Sequence, residues 1–164
     1  MRAVSYRLRD TQATRAMGEA LGAALSSCRP GVLLLYGRPG AGKTTLASAL
    51  ARSLPGGEHA ETSSPSFTIC NIYYTSPPVH HFDLYRLPAG AANEALTESM
   101  DDGGCLTLVE WPENMADGDM PGDGVICRLH PGADESRTAE FEALGPEGEA
   151  VLDMLRALHP LQQG

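Results

Sequence analysis

The run Gly37-Arg38-Pro39-Gly40-Ala41-Gly42-Lys43-Thr44-Thr45 has the residue types and spacing needed to hold the phosphates of a nucleotide. Such a loop must turn its backbone N–H groups inward, and glycine permits both the close approach and the dihedral angles this demands. Gly37, Gly40 and Gly42 supply that backbone, while Arg38, Pro39 and Ala41 fill positions the motif leaves free. Lys43 is expected to neutralise the β- and γ-phosphates, the Thr44 hydroxyl to ligate magnesium, and Thr45 to complete the phosphate site. A guanidinium is no substitute for Lys43, because the loop encircles a compact ammonium and not a planar fork. Lys43 is also the only lysine in the chain; the other eleven basic residues are Arg. The alternative, a glycine-rich turn before a helix, explains neither the lone lysine nor the order strand, loop, helix.

Phosphoryl chemistry further requires carboxylates near the loop, to hold magnesium and to orient water. Two acids meet that need. Glu110 ends the apolar run Leu106 to Val109, and a carboxylate at a buried strand end needs a partner. Asp83 lies in the alternating stretch His81-Phe82-Asp83-Leu84-Tyr85-Arg86-Leu87, on the face opposite Phe82 and Leu84. Arg86 is placed to pair with Asp83 or to reach phosphate. His80 and His81 lack a second His or Cys at ligand spacing, which argues against a metal on them.

The elements that must position these residues read as mixed α/β. Asp10 and Thr11 precede a helical pattern of Met17, Ala20, Leu21, Ala24 and Leu25 that ends near Arg29-Pro30-Gly31. Val32 to Tyr36 is an apolar run between glycines, suited to a strand buried on both faces. Leu46 to Leu54 continues as a helix after the loop. Phe67 to Tyr74 and Val79 to Leu84, joined by Thr75-Ser76-Pro77-Pro78, predict an antiparallel hairpin. A short helix over Glu94 to Met100, strands over Cys105 to Glu110, Val125 to Leu129 and Thr138 to Leu144, and a helix over Glu147 to Leu158 follow. The expected fold is P-loop NTPase-like: a mixed, mostly parallel sheet flanked by helices, with an antiparallel hairpin.

Bulk properties narrow the partners. With 164 residues, 42% of them hydrophobic, one domain spanning residues 1–164 is expected. A formal net charge of −9 disfavours direct contact with a phosphodiester backbone. Cys28, Cys70, Cys105 and Cys127 form no Cys-x-x-Cys pair and read as reduced thiols. The N-terminus lacks an apolar signal core, and no run approaches the ~18 apolar residues of a membrane span. A cytoplasmic protein without membrane association is the expectation.

The combination of Gly37 to Thr45, Ser64-Pro65-Ser66-Phe67-Thr68, His81 to Leu87 and Val109-Glu110-Trp111-Pro112-Glu113 resembles the bacterial TsaE (YjeE) family over about residues 5 to 140. That resemblance implies a P-loop ATPase acting with TsaB, TsaD and TsaC, the machinery that attaches a threonylcarbamoyl group to the tRNA adenosine beside the anticodon. It implies ATP and Mg2+ as ligands, TsaB and TsaD as partners, and contact with tRNA only through them. Carried over residue by residue, it gives Lys43 and Thr44 phosphate and magnesium, and makes Asp83 and Glu110 the metal-positioning and water-orienting carboxylates, in either order. Ser64 to Thr68 resembles a switch-like loop that senses the γ-phosphate, and Trp111 an aromatic that stacks on nucleotide or partner. Ser66 stands where the family more often has Thr, Arg38-Pro39 replaces an acidic and an apolar residue, and Asn71-Ile72-Tyr73 lacks the acid often found before the Tyr.

Three other readings compete. A small-molecule P-loop kinase closes an Arg-bearing lid over the transferring phosphate, whereas Arg128, Arg137 and Arg156 are scattered in this sequence. A GTPase reads guanine through an Asn/Thr-Lys-x-Asp motif, and there is no second lysine to supply one. A non-catalytic, ATP-gated scaffold shares the loop and differs only in whether hydrolysis matters.

Overall fold

The computed structural model describes residues 2–29, 31–60 and 69–159. Seven strands, β1 (Ala3–Leu8), β2 (Val32–Tyr36), β3 (Cys70–Tyr73), β4 (Val79–Asp83), β5 (Leu106–Glu110), β6 (Val125–Pro131) and β7 (Arg137–Ala143), form one sheet in the order β1-β7-β6-β2-β5-β4-β3. Helices α1 (Thr11–Cys28), α2 (Lys43–Ser53), α3 (Glu94–Asp101) and α4 (Pro146–Leu158) cover it. The inner strands β6, β2, β5 and β4 are mutually parallel, and the antiparallel pairings β1·β7, β6·β7 and β3·β4 lie toward the edges. The mostly parallel sheet with an antiparallel hairpin is therefore present.

Buried apolar surface sorts to two faces. Leu33 and Leu35 of β2 join Met17, Leu21 and Leu25 of α1, Leu46 and Leu50 of α2, and Val151, Leu152 and Leu155 of α4 in the larger core. Leu34 points the other way, into a smaller core with Phe82, Leu96 of α3 and Val109. All five residues of β5 and four of the five in β2 are buried, so both faces of these strands are covered; β2 reads as a continuous apolar run, and β5 buries Thr107 and Glu110 among its apolar residues. α1 starts where the Asp10 carboxylate accepts the Ala13 N–H at 2.8 Å. Among the described residues no helix is long and apolar enough to cross a membrane, and the four cysteines are free thiols.

The hairpin strand expected over Phe67 to Tyr74 is shorter than the pattern suggested. It begins at Cys70 and stops at Tyr73, and Val79 to Leu84 ends at Asp83; Phe67, Thr68 and the Ser64 to Thr68 motif lie outside the described residues. Leu84 still donates its N–H to the Glu110 carbonyl of β5, and the chain then turns away through Tyr85. β1 was not expected at all. It is an edge strand on β7, burying only Tyr6 and Leu8.

α1 and α2 cross in close contact at Gly18, where an added Cβ would lie 2.6 Å from the Leu46 carbonyl oxygen and 2.9 Å from the Ala49 Cβ. The first of these is backbone and cannot rotate away. Gly18→Ala is expected to cost about 1–3 kcal/mol despite the better helix propensity of alanine. Urea denaturation tests this; a variant as stable as the parent would show that the helices separate freely.

Candidate active site

Parallel pairing of β2, β5 and β4 brings three chain segments to one edge of the sheet. Leu35 pairs with Glu110 and Glu110 with Asp83, so the loop after β2 and both carboxylates emerge side by side at the carboxyl ends of their strands. In open α/β sheets this crevice is where ligands bind. A cleft of about 550 Å³ lies there, lined by Pro39, Gly40, Gly42, Lys43, Thr44 and Thr45 of the loop, with Asp83, Glu110 and Trp111 opposite and Thr11, Tyr85 and Arg137 at its margins. Gly37, Arg38 and Ala41 do not line it. Gly37 passes tightly against Ala41 and Leu129, and Ala41 is buried and donates its N–H to the Arg38 carbonyl.

The loop turns through left-handed Gly40 (φ 82°) and Gly42 (φ 105°), and Gly42 caps α2, whose N-terminal N–H groups therefore open toward the cleft. Nothing stands within 4 Å of where a Cβ on Gly40 would be, leaving that surface for a ligand. Lys43 begins α2 and is 6% exposed. Its Nζ is buried and has no hydrogen-bond partner among the described residues. Burial pulls its pKa below the ordinary lysine value, against the pull of Glu110, then Glu113 and Asp83. An ammonium with empty donors at a glycine-rich helix start is shaped for an anion. The Nζ lies 4.0 Å from the centre of the Trp111 ring.

Trp111 leaves β5 in the left-handed region (φ 58°), a conformation that bulky residues rarely adopt. That turn directs the indole over the loop, with the Tyr85 ring 4.9 Å away. Asp83 is half-buried and accepts the Tyr85 N–H at 3.0 Å. Burial raises its pKa, opposed by that hydrogen bond and reinforced by Glu110. Glu110 is 2% exposed and has the partner its position demanded: His81 Nε2 lies 2.7 Å from its Oε2. Thr44 is exposed at the cleft. Among the described residues no group of three or more His, Cys, Asp or Glu is arranged to hold a metal.

The structure thus gathers Lys43, Thr44, Asp83, Glu110 and Trp111 as the sequence led us to expect. Arg86 is exposed and makes no ion pair with Asp83 among the described residues. Two contributors were missed. Arg137, at the start of β7, donates from Nη1 to the Ala41 carbonyl at 2.8 Å and lies where a Gly42 side chain would be; no local signal connects residues 96 apart. His81 was weighed only as a metal ligand, although its place two residues before Asp83 puts both on one face of β4.

Arg137 braces the loop from the side opposite α2. Arg137→Met, which retains bulk but no donor, is expected to weaken nucleotide affinity by about tenfold through the loss of roughly 1–2 kcal/mol of hydrogen bonding to the loop backbone. Calorimetric titration decides this, and unchanged affinity would show that the loop holds its shape unaided.

The carboxyl-edge cleft, the glycine-rich loop and the sheet order define a P-loop NTPase-like protein. The backbone resembles the crystal structure of Bacillus subtilis YdiB, with a TM-score of 0.75 at 27% identity, covering 94% of this chain and 95% of that one. Residues 8–139 match the family model described as threonylcarbamoyl adenosine biosynthesis protein TsaE. The tRNA threonylcarbamoyladenosine biosynthesis protein TsaE of Treponema pallidum is 32% identical over 144 residues, 84% of this chain and 96% of that protein. Its counterpart from Aquifex aeolicus is 36% identical over 96 residues, 58% of this chain and 65% of that protein. The chain belongs to the TsaE family, which acts in tRNA threonylcarbamoyladenosine biosynthesis.

Proposed function

We propose that this protein is a cytoplasmic, magnesium-dependent ATPase that supports TsaB and TsaD in threonylcarbamoyl modification of the tRNA adenosine beside the anticodon. The observation that carries the reading is the buried Lys43 ammonium at the start of α2, without a hydrogen-bond partner among the described residues and lining one cleft with Asp83 and Glu110. The donors present suit magnesium: the Thr44 hydroxyl and two carboxylates are hard oxygen ligands, and this ion fills the rest of its shell with phosphate and water. If bound there, it would supply charge neutralisation to the phosphates.

The residues of the chain divide the remaining work. The loop N–H groups and Lys43 hold the phosphates, and the Lys43 ammonium is strengthened as a ligand by the low-dielectric setting that now makes it costly. Asp83, half-buried beside the cleft, faces the metal's shell. Glu110, fixed by His81, orients the attacking water and accepts its hydrogen bond. Trp111 leaves Lys43 and covers the nucleotide. The chain has no second lysine for an Asn/Thr-Lys-x-Asp reader, which favours ATP over GTP. The net charge of −9 suits a subunit that reaches tRNA through its partners.

The test is ATP hydrolysis by the purified protein, alone and with TsaB and TsaD. Low activity alone and a strong rise with the partners are expected. A protein that neither binds them nor hydrolyses ATP in their presence would overturn the proposal.

A further inference from the structure

A run of buried hydrogen bonds crosses three strands behind Glu110. Tyr73 on β3 and His81 on β4 approach at 3.4 Å between Oη and Nδ1, and His81 Nε2 meets Glu110 Oε2 at 2.7 Å. The side chains of His81 and Glu110 are 2% and 3% exposed. The donors run in one direction. A carboxylate oxygen only accepts, so His81 Nε2–H donates to it, which leaves Nδ1 facing the Tyr73 hydroxyl.

The register explains why these residues meet. Asp83 pairs with Glu110 across β4 and β5, so His81, two residues back on the same face, is the diagonal neighbour of Glu110. His81 also pairs with Asn71 on β3, and the Tyr73 ring lies 6.1 Å from its imidazole. β4 thus presents Asp83 to the cleft and His81 to the rear of Glu110. A glutamate carries three rotatable torsions, and removing the His81 donor from a carboxylate this buried costs about 1–3 kcal/mol and frees the side chain to turn. It would swing toward Lys43 or water.

We infer that His81, oriented by Tyr73, is a positioning residue that holds the Glu110 carboxylate by Oε2 and thereby aims its other oxygen at the water that attacks ATP. This rests on the ATPase reading. His81 touches neither nucleotide nor water; it acts through Glu110. Partners of this kind around a reactive carboxylate commonly change activity by about 10–100-fold when removed.

The experiment is steady-state hydrolysis by the full chain with TsaB and TsaD, together with ATP affinity by calorimetry, for His81→Leu, His81→Gln, Tyr73→Phe and Lys43→Met. His81→Leu is expected to lower kcat by at least about tenfold with ATP affinity within about twofold of the parent. His81→Gln, whose amide donates to the same oxygen, recovers most of the rate. Tyr73→Phe costs about threefold, since it loosens the imidazole without removing it. If His81→Leu fails to fold, His81→Asn, too short to reach Oε2 from that backbone position, carries the same expectation. A parent-like kcat in these variants, or a joint fall of kcat and affinity that Gln does not rescue, overturns the inference. No hydrolysis by the parent, with Lys43→Met indistinguishable from it, would instead remove the ATPase reading and this inference with it.

Discussion

Lys43→Met is expected to leave the nucleotide-free protein at least as stable as the parent while removing its response to ATP. The ammonium is buried without a hydrogen-bond partner among the described residues, and burial outweighs the nearby carboxylates in setting its pKa below the ordinary value. A depressed lysine pKa in the folded state means that the unfolded chain binds more protons between the two pKa values. Stability therefore rises with pH between them, and below that window the folded protein carries the cost of the buried charge. Methionine fills the same volume without charge and removes that cost, offset in part by the lost contact with Trp111. Binding suffers in the opposite sense. Loss of charge-assisted hydrogen bonds to phosphate is worth about 3 kcal/mol or more, roughly a hundredfold in affinity. Thermal melts with and without MgATP read both effects, since saturating ligand at ~100 times Kd adds about 2.7 kcal/mol to the parent. A variant whose melting point still climbs with ATP as the parent's does would take Lys43 out of the site.

Glu110→Gln is the second large effect, and it separates hydrolysis from binding. Glutamine retains the shape, and its amide oxygen can still accept the His81 N–H that now reaches Oε2 at 2.7 Å. What it lacks is the negative charge that aligns water. Loss of such a group costs about 10²–10⁴ in rate, so partner-stimulated kcat is expected to fall at least a hundredfold. ATP affinity should hold or rise, because a carboxylate facing the phosphates is gone. Single-turnover hydrolysis with calorimetric binding measures the pair. Retention of kcat within about threefold would move the water-orienting role elsewhere, with Asp83 the obvious candidate. Assayed for tRNA modification, the same variant addresses the scaffold reading: full modification without hydrolysis would mean that ATP binding alone sustains the complex.

These two expectations show where sequence sufficed. Lys43 could be proposed as a phosphate ligand from its own neighbours, because such a motif is local: glycines, lysine and hydroxyl lie within nine consecutive residues. The apolar run of β2 was equally plain, since a strand buried on both faces need not alternate, and β5 was legible although Thr107 and Glu110 interrupt it. Asp83 was placed on the correct face of β4 by the period of two alone, opposite Phe82 and Leu84 of the smaller core. β1 was legible in the alternation Val4, Tyr6, Leu8 and was passed over because an edge strand buries so little.

The remainder depended on the fold. That Glu110 needed a partner followed from its burial, but that the partner is His81 depends on the parallel register of β4 and β5, which no residue in either strand announces. Arg137 reaches Ala41 only because β7 lies next to β6 and β6 next to β2, a strand order that brings residue 137 to the loop. The left-handed turn at Trp111, which lays the indole over Lys43, follows from the exit path of β5 and not from the preference of tryptophan. The phosphate loop and the family were determined by sequence because their signals are short-range. The wiring behind the loop was decided by tertiary structure, because hydrogen bonds between strands join residues that sequence keeps apart.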